Sequence, residues 1–334
     1  VSTVGIIVNP NAGKDIRRLV TPATHTSDVT KVGIVRRAIV AAAESGAERI
    51  LLAPDRHRLA ERAADGIDAR IEIVDESVTG SRFDTIAAAR RFWKEQVSVV
   101  IALGGDGTSR DVALGWPDVP LIAVSTGTNN VYPSSVDGTS AGAAAGFVAS
   151  GAVRLDEVAR RSKRIVVRVD DDASSFDDVA LVDLAFVDTD FIGARAVRDP
   201  HTVRTVVAAI ATPSSTGLSS IAGRVHPVDR HSPGGVLVTL GPGGRAVRVP
   251  LAPGSFTTMP VADVRPLADG EEVVITGRTV LAFDGERDRT VGENGRVTIR
   301  VESSGPLLVD VDRALVLAAE RQLFDFPTET SHGH

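Results

Sequence analysis

The chain has 334 residues, 43% of them hydrophobic and 24% charged, with a formal net charge of −6 and no cysteine. That length suggests two domains at roughly 150 residues each. Without cysteine there is no disulfide scaffold, thiolate zinc site or cysteine nucleophile, and the acidic balance argues against generic nucleic-acid binding. No apolar run approaches the roughly 18 residues of a membrane span. The first ten residues enter a strand-like segment with no basic leader or apolar signal core, so a cytoplasmic location is the expectation.

In chain order, short β-branched runs alternate with Ala-rich stretches of helical period, the pattern of a parallel sheet with crossover helices. Strands are expected over residues 4–8, 49–53, 71–74, 97–103 and 120–124. Ile34, Val35, Ala38, Ile39 and Ala42 form one apolar helical face, and Ser81 with Asp84 opens a second helix, over 81–95, in capping-box-like spacing. The Ala-Gly-rich stretch 140–152 reads as another helix.

From about Leu155 the texture changes to Val-rich strands broken by Gly, Pro, Asp and Asn. Hairpins are expected over 236–249, turning at Gly241-Pro242-Gly243-Gly244, and over 289–301, turning at Glu293-Asn294-Gly295. A helix is expected over 199–210, with Asp199 as cap and Pro200 at its first position. A strand over 307–311 and a helix over 312–324 return to the first unit. The expected fold is thus an α/β nucleotide-binding domain (1–150, completed by 305–326) with a β-rich, sandwich-like second domain (151–304) and a flexible tail (327–334).

The most informative segment follows the fourth strand, Gly104-Gly105-Asp106-Gly107-Thr108. Glycines let a backbone approach a phosphate closely, and the free amides and dipole at a helix start favour an anion. A tight strand-to-helix turn without ligand would use the same glycines. The carboxylate of Asp106 is unfavourable beside an anion unless it takes a proton or holds a metal, which points to Mg²⁺-nucleotide chemistry. Gly13-Lys14 is not a phosphate loop of the Walker type, because Val8 replaces the first glycine and Asp15 the Ser or Thr. The scattered histidines lack zinc spacing, and neither a Gly-x-Ser-x-Gly elbow nor a dinucleotide glycine fingerprint is present.

The Gly-Gly-Asp-Gly-Thr run resembles the signature of the NAD kinase, diacylglycerol kinase and sphingosine kinase superfamily. Asn9-Pro10-Asn11-Ala12-Gly13-Lys14 resembles its first-strand loop, and Ser125-Thr126-Gly127-Thr128-Asn129-Asn130 its Gly-Thr-Gly-Asn loop, although paired asparagines also serve as ordinary turn residues. Thr216-Gly217-Leu218-Ser219-Ser220 looks like a variant of its substrate-side segment, and Asp284-Gly285-Glu286 like its late Asp-Gly-Glu motif, which is also a plain turn sequence. The stretch from Asp183 through Arg195 and Arg198 looks closest to the acetoin-catabolism X group.

This resemblance implies a two-domain kinase that uses ATP and Mg²⁺ to phosphorylate a hydroxyl. NAD is the first candidate acceptor, and another small metabolite, a lipid or a non-catalytic regulatory role are the alternatives. It implies Asp106 or Glu286 as the catalytic base, with Asp284 beside it. Asn9, Pro10, Lys14, Gly104, Gly105, Gly107, Thr108, Thr126, Gly127, Thr128, Asn129 and Asn130 would bind nucleotide. Arg195, Gly217, Ser219 and Ser220 would bind substrate. The resemblance also implies a dimer or tetramer of identical chains.

Overall fold

The structure, a computed structural model, describes residues 1–12, 26–127, 130–172, 175–188 and 200–325. The first unit comprises β1 (Thr3–Val8), α1 (Asp28–Glu44), β2 (Arg49–Leu52), α2 (Leu59–Ala64), β3 (Ile71–Ile73), α3 (Arg82–Lys94), β4 (Val99–Gly104), α4 (Asp106–Gly115), β5 (Pro120–Ser125) and α5 (Gly138–Ala149). Then α6 (Leu155–Val158) and β6 (Ala159–Arg161) lead into the second unit: β7 (Arg164–Asp170), β8 (Ser175–Ala180), β9 (Asp183–Val187), β10 (Val203–Ala208), α7 (Ser219–Val225), β11 (Gly235–Ala252), β12 (Ser255–Leu267), β13 (Glu272–Thr276), β14 (Thr279–Phe283), β15 (Glu286–Val291) and β16 (Arg296–Glu302). The chain returns through β17 (Leu307–Val309) and α8 (Val311–Glu320).

The first sheet has the order β3-β2-β1-β4-β5-β17-β6, parallel except for β6. Strand order reverses between β1 and β4, so their carboxyl ends open the crevice where doubly wound folds bind ligands. Alternation along β1 makes the layers: Val4, Ile6 and Val8 join the core under α1, α2, α5 and α8, while Ile7 joins the core under α3 and α4. The return of β17 beside β5 and of α8 onto α5 attaches the last elements to this sheet.

α1 and α5 approach unusually closely. Gly138, Gly142 and Gly146 recur every fourth residue and lie against the carbonyls of Ile34, Ala38 and Ala42, where an added Cβ would stand 2.3, 2.3 and 2.5 Å from the oxygens. The Ala-Gly richness of this stretch is therefore a packing seam.

In the second unit, a six-stranded antiparallel sheet (β12-β11-β10-β9-β14-β15) packs face to face on a four-stranded one (β13-β16-β7-β8). Leu184 and Phe186 of β9 point into the core between the sheets, and Ala185 and Val187 into a second core beneath α7. With both faces covered, the strand is apolar throughout its length after Asp183.

Three sequence expectations give way here. Residues 203–208 form β10, not a helix; after one helical turn at Pro200–Thr202, the β-branched Val203, Thr205, Val206 and Val207 fill a central strand between β9 and β11. Asp199, its expected cap, lies outside the described residues. The Gly241-to-Gly244 segment is a bulge inside β11, since pairing with β12 resumes at Arg245 opposite the same Val261 that Leu240 faces. The turn to β12 comes at Pro253 and Gly254 (φ 70°). Finally, residues 289–301 make no hairpin: β15 pairs with β14 in one sheet and β16 with β13 and β7 in the other, so 292–295 crosses between layers. The expected tail at 327–334 lies outside the described residues. No helix among the described residues is long and apolar enough to cross a membrane.

Gly142→Ala drives a methyl group into the Ala38 carbonyl and Cα, at 2.3 and 2.8 Å. It should destabilise the chain by about 1 to 3 kcal/mol, as overpacking does, read as a lower midpoint in urea unfolding with unchanged slope.

Candidate active site

The glycine loop closes on itself before it meets any ligand. Asn9, following β1, donates its amide N–H to Leu103 and its side-chain Nδ2 to Thr108 Oγ1 at 2.9 Å, which bolts the first loop to the first turn of α4. Thr108 is buried against Gly104, where any Cβ would overlap its side chain at 2.3 Å. Gly105 caps α4 and faces the Asn130 side chain, whose Nδ2 donates to Ser125 Oγ at 2.8 Å. Gly107 faces open space, and a Cβ added there would meet nothing within 4 Å. Of the expected phosphate-binding positions, Gly107 therefore has open space beside it and Gly105 is covered by the Asn130 side chain, whereas Gly104 and Thr108 pack against each other beneath them.

Lys31 is the residue that sequence reasoning missed here. Fully buried on α1, its ammonium donates to the carbonyls of Asn9 (3.3 Å), Pro10 (2.7 Å) and Ala12 (2.7 Å) and so shapes the loop after β1. Its place four residues before Val35, in line with the apolar stripe of α1, was the available signal. Lys14, Thr128, Asn129, Arg195 and Arg198 lie outside the described residues. Thr126 is buried with its carbonyl accepting from Thr26, and its Oγ1 has no hydrogen-bond partner among the described residues. Gly127 bonds through its carbonyl to Ser125 Oγ at 2.9 Å.

Asp106 occupies the first position of α4, where a carboxylate is favoured by the helix dipole. It accepts the N–H groups of Val131 (3.0 Å) and Tyr132 (2.8 Å). From the second unit comes Asp284, in an Asp-Gly turn with φ 48° and, at Gly285, 83°, the left-handed pair that a two-residue hairpin requires. Its carboxylate accepts from Leu181 (3.0 Å), Val182 (2.8 Å) and Asp183 (3.3 Å). Asp183 receives the amides of Ser219 and Gly285, and its Oδ1 is buried with no hydrogen-bond partner among the described residues. A single Asp within the apolar run 179–187 was its sequence signal.

These three carboxylates are close enough to feel one another. Asp106 and Asp284 keep some surface open to the crevice, but the protein enclosing their carboxyl groups dominates. Burial, then the charge of Asp284, pushes Asp106 up to about 7; burial pushes Asp284 up to about 6 although Arg110 pulls it back. Asp183 lies well above the usual carboxylate range, from burial and then from Asp284 and Asp106. Glu286, the rival base, is exposed at the start of β15. Ser219 and Ser220 are buried, and Ser220 Oγ donates to Gly217 and Pro250 carbonyls at 2.6 and 3.2 Å. The segment thus reaches the carboxylate cluster through the Ser219 amide. Gly217 (φ 91°) allows the turn before α7.

Two arginines tie the halves together. Arg110, on α4, donates to the Val179 carbonyl (2.6 Å) and Asp178 (2.7 Å) and lies 4.3 Å from the centre of the Phe283 ring. Arg230 reaches from the loop after α7 to the carbonyls of Val131 and Tyr132.

The described residues hold no group of three or more His, Asp or Glu side chains arranged to grip a metal ion. The carboxylates of Asp106 and Asp284 are directed at backbone amides, so they do not form a resident magnesium cage.

A glycine turn at the sheet's switch point, facing an Asp-Gly turn from a β-rich second unit, defines an NAD kinase-like two-domain architecture. Residues 4–150 match the family described as ATP-NAD kinase N-terminal domain, and residues 163–304 match acetoin catabolism protein X C-terminal domain. The solved structure of yeast NADH kinase with NADH superposes with a TM-score of 0.54 at 14% identity, covering 98% of this chain and 89% of that one, and shares its fold. Acetoin catabolism protein X of Cupriavidus necator is 35% identical over 96% of this chain and 93% of its own length. An uncharacterized protein of Archaeoglobus fulgidus is 30% identical over 39% of this chain and 36% of its own. The chain belongs to the acetoin catabolism protein X family.

The raised carboxylates fix the sign of a stability profile. Asp106 and Asp284 bind protons more tightly folded than unfolded, where their ordinary value is 3.8. Folding is therefore favoured at low pH and loses up to about 1.4 kcal/mol per pH unit per group as pH rises from roughly 4 toward 6 to 7, levelling above. Urea unfolding at pH 5 and pH 8 should show the higher midpoint at pH 5, and Asp106→Asn, which keeps an acceptor oxygen for both amides, should flatten the difference.

Proposed function

We propose that the chain is a phosphotransferase that moves the γ-phosphoryl group of ATP to a substrate hydroxyl, with Asp106 as the base. The observation that carries this reading is the placement of Asp106: at the start of α4, beside the open Gly107, at the switch point, with a value raised to about 7. A base near neutrality is ionised often enough to accept a proton and basic enough to drive its removal. The hydroxyl oxygen bonds to phosphorus, its proton passes to Asp106, and the bond from phosphorus to the bridging oxygen breaks to release ADP.

Phosphoryl transfer is mostly positioning and charge stabilisation. The amides at Gly105 and Gly107 and the α4 dipole supply part of that stabilisation for the phosphates, and the loop after β1, held by Lys31, lies beside them. Magnesium supplies neutralisation of the phosphate oxygens in such reactions and, as few protein ligands normally suffice, would be brought with the nucleotide. For the acceptor, the match of residues 4–150 to an ATP-NAD kinase domain and the shared fold with an NADH kinase favour NAD or NADH.

The test is a single-turnover assay with γ-labelled ATP, Mg²⁺ and NAD, NADH, diacylglycerol or pooled soluble metabolites as acceptors. Label should appear on a dinucleotide, with a rate that falls as pH drops below about 7. Asp106→Asn should lose roughly 10²-fold or more and abolish that acid limb, while the exposed Glu286→Gln should lose less. Near-normal rates in Asp106→Asn would overturn the assignment of the base.

A further inference from the structure

The two amides that hold Asp106 belong to a strap, residues 131–132, that is gripped from its other side. Arg230 donates one guanidinium nitrogen to the Tyr132 carbonyl at 2.9 Å and the other to the Val131 carbonyl at 2.6 Å, with its carbon 5.8 Å from the centre of the Tyr132 ring. The same two residues turn their N–H groups to the Asp106 carboxylate.

The loop that presents Arg230 is itself fixed. The Asp229 side chain accepts the His231 amide at 2.7 Å, and Ser232 Oγ donates to the Asp229 carbonyl, closing a tight turn around Arg230. Farther along, the buried Lys163 ammonium donates to the Gly234 carbonyl at 3.0 Å. Next to Lys163, Ser162 shares a 2.7 Å hydrogen bond with the Tyr132 hydroxyl. The strap is thus held by its carbonyls, its phenol and its amides, and only the amide contacts reach the site.

We propose that Arg230 is the positioning residue for Asp106: its two-pronged grip on the Val131 and Tyr132 carbonyls, made across the junction between the two units, keeps both N–H groups aimed at the Asp106 carboxylate. The Val131 carbonyl and the Tyr132 N–H belong to one peptide group, so a cation on that carbonyl polarises the Tyr132 bond to Asp106, the shorter of the two, while the grip on the Tyr132 carbonyl fixes the strap's direction. The planar fork meets the two adjacent carbonyls with separate nitrogens in a fixed geometry; a lysine at 230 would bring the charge without the fork. The charged groups facing Asp106 are Asp284 and Asp183, which disfavour its ionised form, and Arg230, which favours it.

The catalytic consequence rests on Asp106 being the base, whereas the clamp does not, and the experiment separates them. Arg230→Met and Arg230→Lys are compared with the wild-type chain by amide hydrogen exchange at Val131 and Tyr132, by carbon-13 titration of the Asp106 carboxyl, and by phosphoryl-transfer kinetics. The clamp predicts exchange faster by about tenfold or more in both variants. It predicts an Asp106 midpoint raised by about one pH unit in the Met variant and by less in the Lys variant, which retains the charge. Turnover should fall, with its acid limb moving up in step, at little cost to the KM for ATP.

Wild-type exchange at both amides together with a wild-type Asp106 midpoint in Arg230→Met would overturn the proposal, as would a fall in thermal stability unaccompanied by either change. If the Met variant does not fold, exchange in the Lys variant decides. Faster exchange and a moved midpoint, in a protein whose wild type transfers phosphate to no acceptor, would uphold the clamp and defeat the proposed function.

Discussion

The three carboxylates at the junction of the two units answer to one constraint: a carboxylate enclosed by protein must be met by hydrogen-bond donors, and here those donors are backbone amides. Asp106 takes Val131 and Tyr132, Asp284 takes residues 181–183, and Asp183 takes Ser219 and Gly285. Leaving such a group unpaired costs far more than any one of these bonds contributes, so separated segments are drawn together in each unit, 106 with 131–132 and 181–183 with 219 and 284–285. Each set is closed within its own unit, Asp106 by residues 131–132 and Asp284 by residues 181–183, and it is Arg110 and Arg230 that make the bonds across the junction.

Electrostatics gives the same convergence its chemical use. Asp284 raises the proton affinity of Asp106, and both raise that of Asp183, so the cluster retains protons where an ordinary aspartate would not. The amides work against this and keep Asp106 and Asp284 within reach of pH 7, while Asp183, most deeply buried and with one oxygen lacking a partner among the described residues, stays furthest from it. Burial sets the direction; Asp284, with three amides and Arg110 pulling it back, is raised least, and Asp183, with the other two carboxylates acting against its charge, most.

How much of this could be read from the sequence follows from what each residue answers to. The parallel strands of the first sheet were legible because both faces are buried, which forces continuous apolar runs, and α1 because its apolar stripe has the helical period. The glycine loop was legible for the same local reason: Gly104 and Gly105 have neighbours that exclude a Cβ. The second unit was less so. Pro200 does begin one helical turn, but the long-range pairing of Val203–Ala208 on both sides overrides any helical start. Gly241-Pro242-Gly243-Gly244 is a strong turn signal that β12 overrules by pairing past it. In the site, Asp106, Asp284 and Asp183 stood in segments that carry the resemblance, whereas Lys31 and Arg230 bond to partners as far as 22 and 99 residues away, and no local pattern encodes such partners.

The junction is also a shared core. Leu181, Val182 and Ile210 of the second unit pack with Val100, Tyr132 and Ala89 of the first, so the segment whose amides hold Asp284 is part of the apolar layer beneath the parallel sheet. Arg110 adds a buried ion pair with Asp178 across the same boundary. Shifting one unit against the other would expose apolar surface and unpair the buried Arg110 together, and would pull Arg230 from the Val131 and Tyr132 carbonyls. A hinge that opened by this route would have to break these contacts at once. The geometry around Asp106 is therefore held as a preorganised whole, and such rigidity is what the proposed role of Asp106 as proton acceptor requires, because a reaction that depends on positioning tolerates little misplacement.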